Sequence, residues 1–364
     1  MLFIFKAIAT SISLLFLNNL CILLLPFLVG IRGMSLLKIG FLLKVFSIFF
    51  IFFVFIPLIF HQNSIGFNFH NFFIQYKIIF FSLLIIAKNF GFISSINDFT
   101  KFNIIWFTIC ISFILFLFSF LFNGFSFRFV DILVNFGVAN SVYFSVILVV
   151  LASYSSGLQL LFLSLLILLN ASGTGLVGLI AIYFFRYVYN SRSIILFLVL
   201  LISVSLFFYF GQNDRSRSVL DLMSIDRFVI SKAYIEYSFG NSDYLQFLFG
   251  RGFASDITPM VSYIDDIKII EYLMMEGDYI SSQNLHSEYL RNFNSFGIIG
   301  LIIILVIWFR FIGLELTFSM SLMGLFGSVF YITPVFFIFI IFGSPREPLQ
   351  NHKKALPASR LALM

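Results

Sequence analysis

His286-Ser287-Glu288-Tyr289-Leu290-Arg291-Asn292-Phe293-Asn294-Ser295-Phe296 runs without a break into Gly297-Ile298-Ile299-Gly300-Leu301-Ile302-Ile303-Ile304-Leu305-Val306-Ile307-Trp308. The first half belongs in water and the second in hydrocarbon, because a run of this apolarity needs a solvent that does not penalise it. The chain therefore passes from an aqueous segment into a membrane helix at this point.

Most of the chain follows the logic of the second half. Of 364 residues, 61% are apolar and 10% charged, with a mean hydropathy of +1.07; soluble domains run at roughly half apolar and a quarter charged. Apolar runs recur near 8–30, 41–60, 74–87, 103–122, 139–155, 158–170, 175–189, 193–210, 297–314 and 318–343. A hydrocarbon core about 30 Å thick needs roughly 20 apolar residues per helix, so these runs predict an all-α polytopic membrane protein of about 10–12 transmembrane helices. The two runs between 158 and 189 are short for full crossings, which suits helices that tilt little or pack centrally. An extra or split crossing within 311–343 would resolve an awkward parity at the chain ends. Lys6 precedes an apolar run, but no small-residue cleavage site follows, so this run is read as a span and not as a signal peptide. The 56 Phe residues fall in unspaced runs such as Phe49-Phe50-Ile51-Phe52-Phe53 and read as lipid-facing filler. Cys21 and Cys110 lie inside apolar runs, where cysteine is expected to pack as a small buried hydrophobe. The polar stretch Gly343-Ser344-Pro345 to Met364 is unlike everything before it and is read as an appendage outside the fold.

Charge divides the chain more sharply than its net value of +6 suggests. Residues 211–296 hold twelve of the sixteen acidic residues and seven basic ones, whereas the remainder holds fifteen basic residues against four acidic. Lys38, Lys88, Lys101, Arg186 and Arg192 are placed in short loops on one side, which the positive-inside rule assigns to the cytoplasm. The connections 61–73, 123–138, 170–174 and 211–296 then face the opposite compartment. Scattered single basic residues form no stripe for nucleic acid, and none is expected as a partner.

Within the long loop, Ser224-Ile225-Asp226 signals a helix start, and Ile230, Ala233, Tyr234 and Tyr237 follow at i, i+3, i+4 and i+7. Arg227 falls on this apolar stripe. A guanidinium on such a face needs an anionic partner, either a phosphate that suits its planar fork or one of the loop's carboxylates. His286 begins a second stripe with Leu290, Phe293, Gly297 and Gly300, whose two glycines permit close helix approach. Its pKa range suits a general base for a sugar hydroxyl; a solvent-facing histidine is the plain alternative.

His286-Ser287, nine residues, then Gly297-x-x-Gly300 resembles the His-[Asn/Ser/Gln]-x9-Gly-x-x-[Gly/Thr/Tyr] signature of the bacterial O-antigen ligase and Wzy-type polysaccharide polymerase superfamily, where it closes a large periplasmic loop. Arg227, about sixty residues before the histidine, and Phe249-Gly250-Arg251-Gly252-Phe253 are similar to that family's loop arginine and Gly-x-Gly turn. The resemblance covers roughly 165–315. It departs at Ser172-Gly173-Thr174-Gly175, where Gly173 stands in place of an arginine common in the family. A second phosphate-binding cation would then come from Arg251, Arg215, Arg217 or Arg291, with Arg251 ranked first because its flanking glycines let backbone and side chain approach an anion together. Tyr289 completes the candidate substrate-binding set. Solvated loop charges remain the alternative for each of these arginines.

The resemblance implies a GT-C-like glycosyltransferase in the bacterial inner membrane. Its parts would be an N-terminal transmembrane bundle (1–210), a periplasmic catalytic loop (211–296), C-terminal transmembrane helices (297–343) and a polar tail (344–364). It implies transfer of a glycan from undecaprenyl pyrophosphate to the end sugar of another lipid-linked repeat unit. His286 would act as base and Arg227 would stabilise the departing pyrophosphate. No cofactor or metal is required: Asp265-Asp266 is not an Asp-x-Asp, and 61–73 carries no carboxylate. Implied partners are lipid-linked oligosaccharides, membrane lipids, and a flippase and chain-length regulator of the same pathway. A ligase acting on lipid A core shares the signature; the compact, biased chain favours the polymerase. A flippase or other transporter would place charge inside the spans, where this sequence has little, and a purely structural scaffold is the remaining reading.

Overall fold

The computed structural model describes residues 2–16, 36–51, 69–90, 96–123, 140–170, 172–188, 226–241, 243–252, 256–274, 287–325 and 333–343, with isolated positions 28, 93, 130, 133, 280 and 285. Among them the chain is helical, with no strand. The N-terminal helices are α1 (Leu2–Phe16), α2 (Leu36–Phe50), α3 (Phe69–Asn89), α4 (Asp98–Asn123), α5 (Ser141–Ser153), α6 (Gly157–Asn170) and α7 (Gly173–Tyr183), the last running into a π-turn at Phe184–Val188. The loop contributes α8 (Asp226–Asn241), α9 (Tyr244–Phe249), a 3-10 turn (Thr258–Tyr263) and α10 (Ile267–Met274). After it come α11 (Glu288–Ile312), α12 (Leu314–Gly324) and α13 (Thr333–Phe342).

Helix α5 is the centre of the bundle. Nearly every side chain from Phe144 to Ser153 is buried, as expected for a helix apolar all round. It packs on α6, α7, α12 and α13, while α3 bridges α11 and α13 and α4 holds α1 and α6. Short α7 reaches its position through glycines: a Cβ at Gly175 would lie 2.5 Å from that of Ser145, and one at Gly178 would lie 2.8 Å from Val149 and run into Met323. Central packing thus accounts for the shortness of α7. Its neighbour α6 instead shows an outward stripe of Leu158, Leu161 and Leu165.

Two helices, Asp98–Phe122 and Tyr289–Ile312, are long and apolar enough to cross a membrane. The bundle also reverses the soluble pattern. Phe99, Phe102, Ile114, Leu117 and Leu121 of α4 face outward, while Thr108 and Ser112 are buried and satisfy their hydroxyls on carbonyls one turn back. Hydroxyls inside and large apolar groups outside suit a lipid surround. Cys110 shows the same reversal. It is free and exposed on α4, not buried as its apolar run suggested, because a lipid-facing position is apolar too. Cys21 lies outside the described residues.

Helix ends sort consistently into two sets. At one end Tyr154 donates to the Gly343 carbonyl at 2.6 Å and Lys101 pairs with Asp98 at 3.1 Å. Arg186 pairs there with Glu315 at 2.9 Å and donates to the carbonyls of Ser155, Ser153 and Ala152 at the end of α5. This basic end carries Lys88 as well, in the last turn of α3. At the other end the Asn170 amide donates to the Ser141 carbonyl and Ser145 hydroxyl, both at 2.7 Å, and Tyr289 donates to the Ser321 carbonyl at 2.8 Å. The loop joins the bundle here. The apolar run 318–343 holds the greater part of α12 and all of α13, with 326–332 outside the described residues. The run 193–210 lies outside the described residues.

Candidate functional site

The loop has a core of its own, distinct from that of the bundle. Ile230, Ala233, Tyr234 and Tyr237 of α8, the stripe legible in the sequence, are buried against Ile257, Met260, Ile264, Ile269, Leu273, Ile280 and Leu285. Leu290 and Phe293 of α11 pack onto this core, whereas Phe296 and Ile304 of the same helix belong to the bundle core. One helix therefore serves two cores.

Between them α11 breaks. Gly297 has φ +65° and ψ −171°, a conformation open essentially only to glycine. The cause is a backbone crossing: Gly250, at the end of α9, lies so close that a Cβ there would be 2.5 Å from the Phe296 nitrogen, while a Cβ at Gly297 would collide with the Leu248 carbonyl. Gly250 and Gly252 both have positive φ, +85° and +81°. The Gly-Arg-Gly turn is thus seated in the break. The second stripe anticipated one uninterrupted helical phase from His286 to Gly300; the break at Gly297 removes that continuity and puts the close approach on a turn, not on a neighbouring helix.

Asn294 ties the pieces together. Its side-chain carbonyl accepts the Tyr234 hydroxyl at 2.8 Å, and its main-chain carbonyl accepts the Arg251 N–H at 2.6 Å. Burial pushes the Tyr234 phenol well above its ordinary pKa, the Ser238 hydrogen bond and the nearby Arg251 charge opposing in part, so it stays a donor. The Arg251 guanidinium lies 4.5 Å from the centre of the Tyr237 ring, in cation–π contact, and the residue is only 9% exposed. Sequence reasoning missed Asn294. The signal available was the cluster of polar residues Asn292, Asn294 and Ser295 just ahead of Phe296-Gly297 and the apolar run; all three are buried.

The remaining candidates divide. Arg291 donates from Nη2 to the Leu285 carbonyl at 3.0 Å, and its N–H reaches the Ser287 carbonyl at 3.1 Å. It therefore holds the chain on both sides of position 286. Tyr289 points its hydroxyl at α12. Arg227 is the second residue of α8, seven before Tyr234, with its side chain outside what is described; His286, Arg215 and Arg217 also lie outside the described residues. The acidic side chains described in the loop, Glu236, Asp243, Asp256, Asp265, Asp266 and Glu271, are all exposed. They form the loop's solvated face.

No family model, curated protein or solved structure matches this chain. The functional reading accordingly rests on the loop's own residues and their arrangement. What that arrangement brings together is the helix bearing Arg227, the turn bearing Arg251 and the first turns of α11, whose N-cap is Ser287.

Proposed function

We propose that this chain is a metal-independent, polytopic glycosyltransferase of GT-C-like architecture in a bacterial inner membrane, polymerising a surface polysaccharide such as O-antigen with its loop in the periplasm. The observation that carries the reading is the double role of Asn294, whose side chain holds α8 and whose backbone holds the Gly-Arg-Gly turn. The turn bearing Arg251 and the helix bearing Arg227 are thereby held on α11 in one anchored frame, and fixed positioning of this kind is what the proposed catalysis draws on.

In this mechanism the acceptor sugar hydroxyl gives its proton to His286 as its oxygen bonds to the donor's anomeric carbon. The anomeric carbon–oxygen bond to phosphate breaks, and the leaving group departs as undecaprenyl pyrophosphate. Arg227 stabilises the charge that develops on the pyrophosphate, with Arg251 as the second cation. Arg251 already faces an aromatic ring in a buried setting, where a cation keeps much of its attraction for an anion.

Purified protein in lipid nanodiscs, given undecaprenyl-pyrophosphate-linked repeat units, is expected to build a ladder of lengthening chains. His286→Ala is expected to abolish the ladder, and a full ladder from that variant would remove the base from the mechanism. Arg227→Lys keeps the charge but loses the fork, so turnover is expected to fall at least about ten-fold. Products capped on lipid A core in place of chain extension would move the assignment to a ligase.

A further inference from the structure

Helix α9, Tyr244-Leu245-Gln246-Phe247-Leu248-Phe249, is uncharged, and none of its residues is fully buried. Tyr244 is 77% exposed, and Leu245 is exposed beside it. Phe239 of α8, 72% exposed, extends the same surface, its ring 5.8 Å from that of Phe247. A loop whose described carboxylates are turned to water thus also exposes large aromatic and aliphatic side chains at Phe239, Tyr244 and Leu245.

The depth of this face follows from where α9 is pinned. Its C-terminal end crosses α11 at Gly297. Beyond Gly297, α11 continues only to Ile312 before Gly313 ends it; those residues rise about 22 Å at 1.5 Å each. A hydrocarbon core is roughly 30 Å thick, so the apolar boundary on the loop side falls on the far side of Gly297. The α9 backbone crossing therefore lies at or within that boundary. Outward residues Ile302, Val306 and Phe309 of α11 continue the apolar surface toward the basic end. Backbone groups at such a depth need internal partners, and the crossing has them: Gly250 N–H donates to the Gln246 carbonyl at 2.8 Å and Arg251 N–H to that of Asn294.

We propose that α9, with Phe239, is an interfacial membrane anchor whose exposed face lies in the headgroup and upper acyl region of the bilayer. Tyrosine at the head of such a segment suits the interface, with its ring in the apolar layer and its hydroxyl near water. The anchor sets the Gly-Arg-Gly turn, and with it Arg251, at the membrane interface. It gives the loop a fixed height above the membrane. The inference rests on the membrane assignment made above.

The experiment places an environment-sensitive fluorophore at single cysteines in a Cys21→Ser, Cys110→Ser background, in nanodiscs containing lipids that carry a quenching nitroxide near the headgroup or deep in the chain. Labels at Tyr244→Cys and Phe239→Cys are expected to be quenched several-fold more by the shallow nitroxide than by the deep one. A label at Val306→Cys reports the membrane assignment itself, and one at exposed Glu271→Cys reports water. Quenching at 306 without quenching at 239 and 244 overturns the anchor alone. No lipid quenching at 306 overturns the membrane assignment on which it rests. Shielding of 244 from both lipid and an aqueous quencher means that a protein or a second copy covers the face, and also overturns the anchor. Where the cysteine-free background does not insert, the quenching by brominated lipids that Tyr244→Trp adds over that of the native Trp106 and Trp308 gives the same reading.

Discussion

Helix α11 joins two hydrophobic cores built on opposite rules. On the loop side, Tyr234, Met260 and Leu285 are inside and the described carboxylates are outside, as in a small water-soluble domain. On the bundle side, apolar residues occupy both interior and exterior, and the buried polar groups are mainly hydroxyls bonded to their own helix. The loop core is stabilised chiefly by removing apolar surface from water. A bundle in lipid gains little from that, and depends on close packing and on buried polar contacts. The difference teaches what the glycine in α11 is for: the half of the helix that serves the loop core and the half that serves the bundle core meet at Gly297, where the crossing by Gly250 ties the loop to the bundle.

The largest expected effect comes from closing that crossing. Gly297→Val forces a side chain into a glycine-only conformation and into the Leu248 carbonyl. A loss of about 3 kcal/mol or more is expected, seen as little or no monodisperse protein after detergent extraction. Recovery of that variant with an unchanged melting temperature would show that the two cores are not coupled through the break.

Next in size is the clamp at the basic end, which should act on the bundle alone. Arg186→Ala leaves Glu315 half-buried without its partner and uncaps the end of α5; a cost of about 3 kcal/mol is expected. Protease digestion should show the loop core intact while the bundle's thermal transition falls. Equal loss in both would blur the division between them.

Asn294→Ala tests the link from the loop side. It removes the Asn294 acceptor from the buried Tyr234 hydroxyl but keeps the main-chain bond to Arg251, at a cost of about 1–3 kcal/mol. Polymer extension is expected to fall at least about ten-fold with the bundle's melting unchanged. Combined with Tyr234→Phe the losses should be clearly less than additive, because both variants break one hydrogen bond.

The smallest effect is on pH dependence. Because the Tyr234 phenol titrates above its ordinary value in the fold, its contribution is complete below about pH 10, where the unfolded phenol is still protonated, and declines above it. Loop stability measured by protease resistance should therefore fall above about pH 10. Tyr234→Phe should flatten that decline.

The stripe of α8 was legible because period and burial coincide in a helix that faces water on one side. The Gly250-Arg251-Gly252 turn was legible because glycines mark unusual backbone. Cys110 was misjudged because, in lipid, apolar sequence does not separate inside from outside. Asn294 escaped notice because its partner Tyr234 is sixty residues away in the chain, and no local pattern encodes such a pairing.

The sequence by itself determined that the chain is helical and strongly apolar outside the loop, and which face of α8 is buried, since these depend on composition and periodicity over a few turns. Only the tertiary structure decided that Gly297 is a break and not a helical glycine, that Gly250 fills it, and that Asn294 holds α8 and the arginine turn together. Those features arise where two backbones approach one another closely, and steric exclusion of that kind exists only once the chain has brought distant segments into contact.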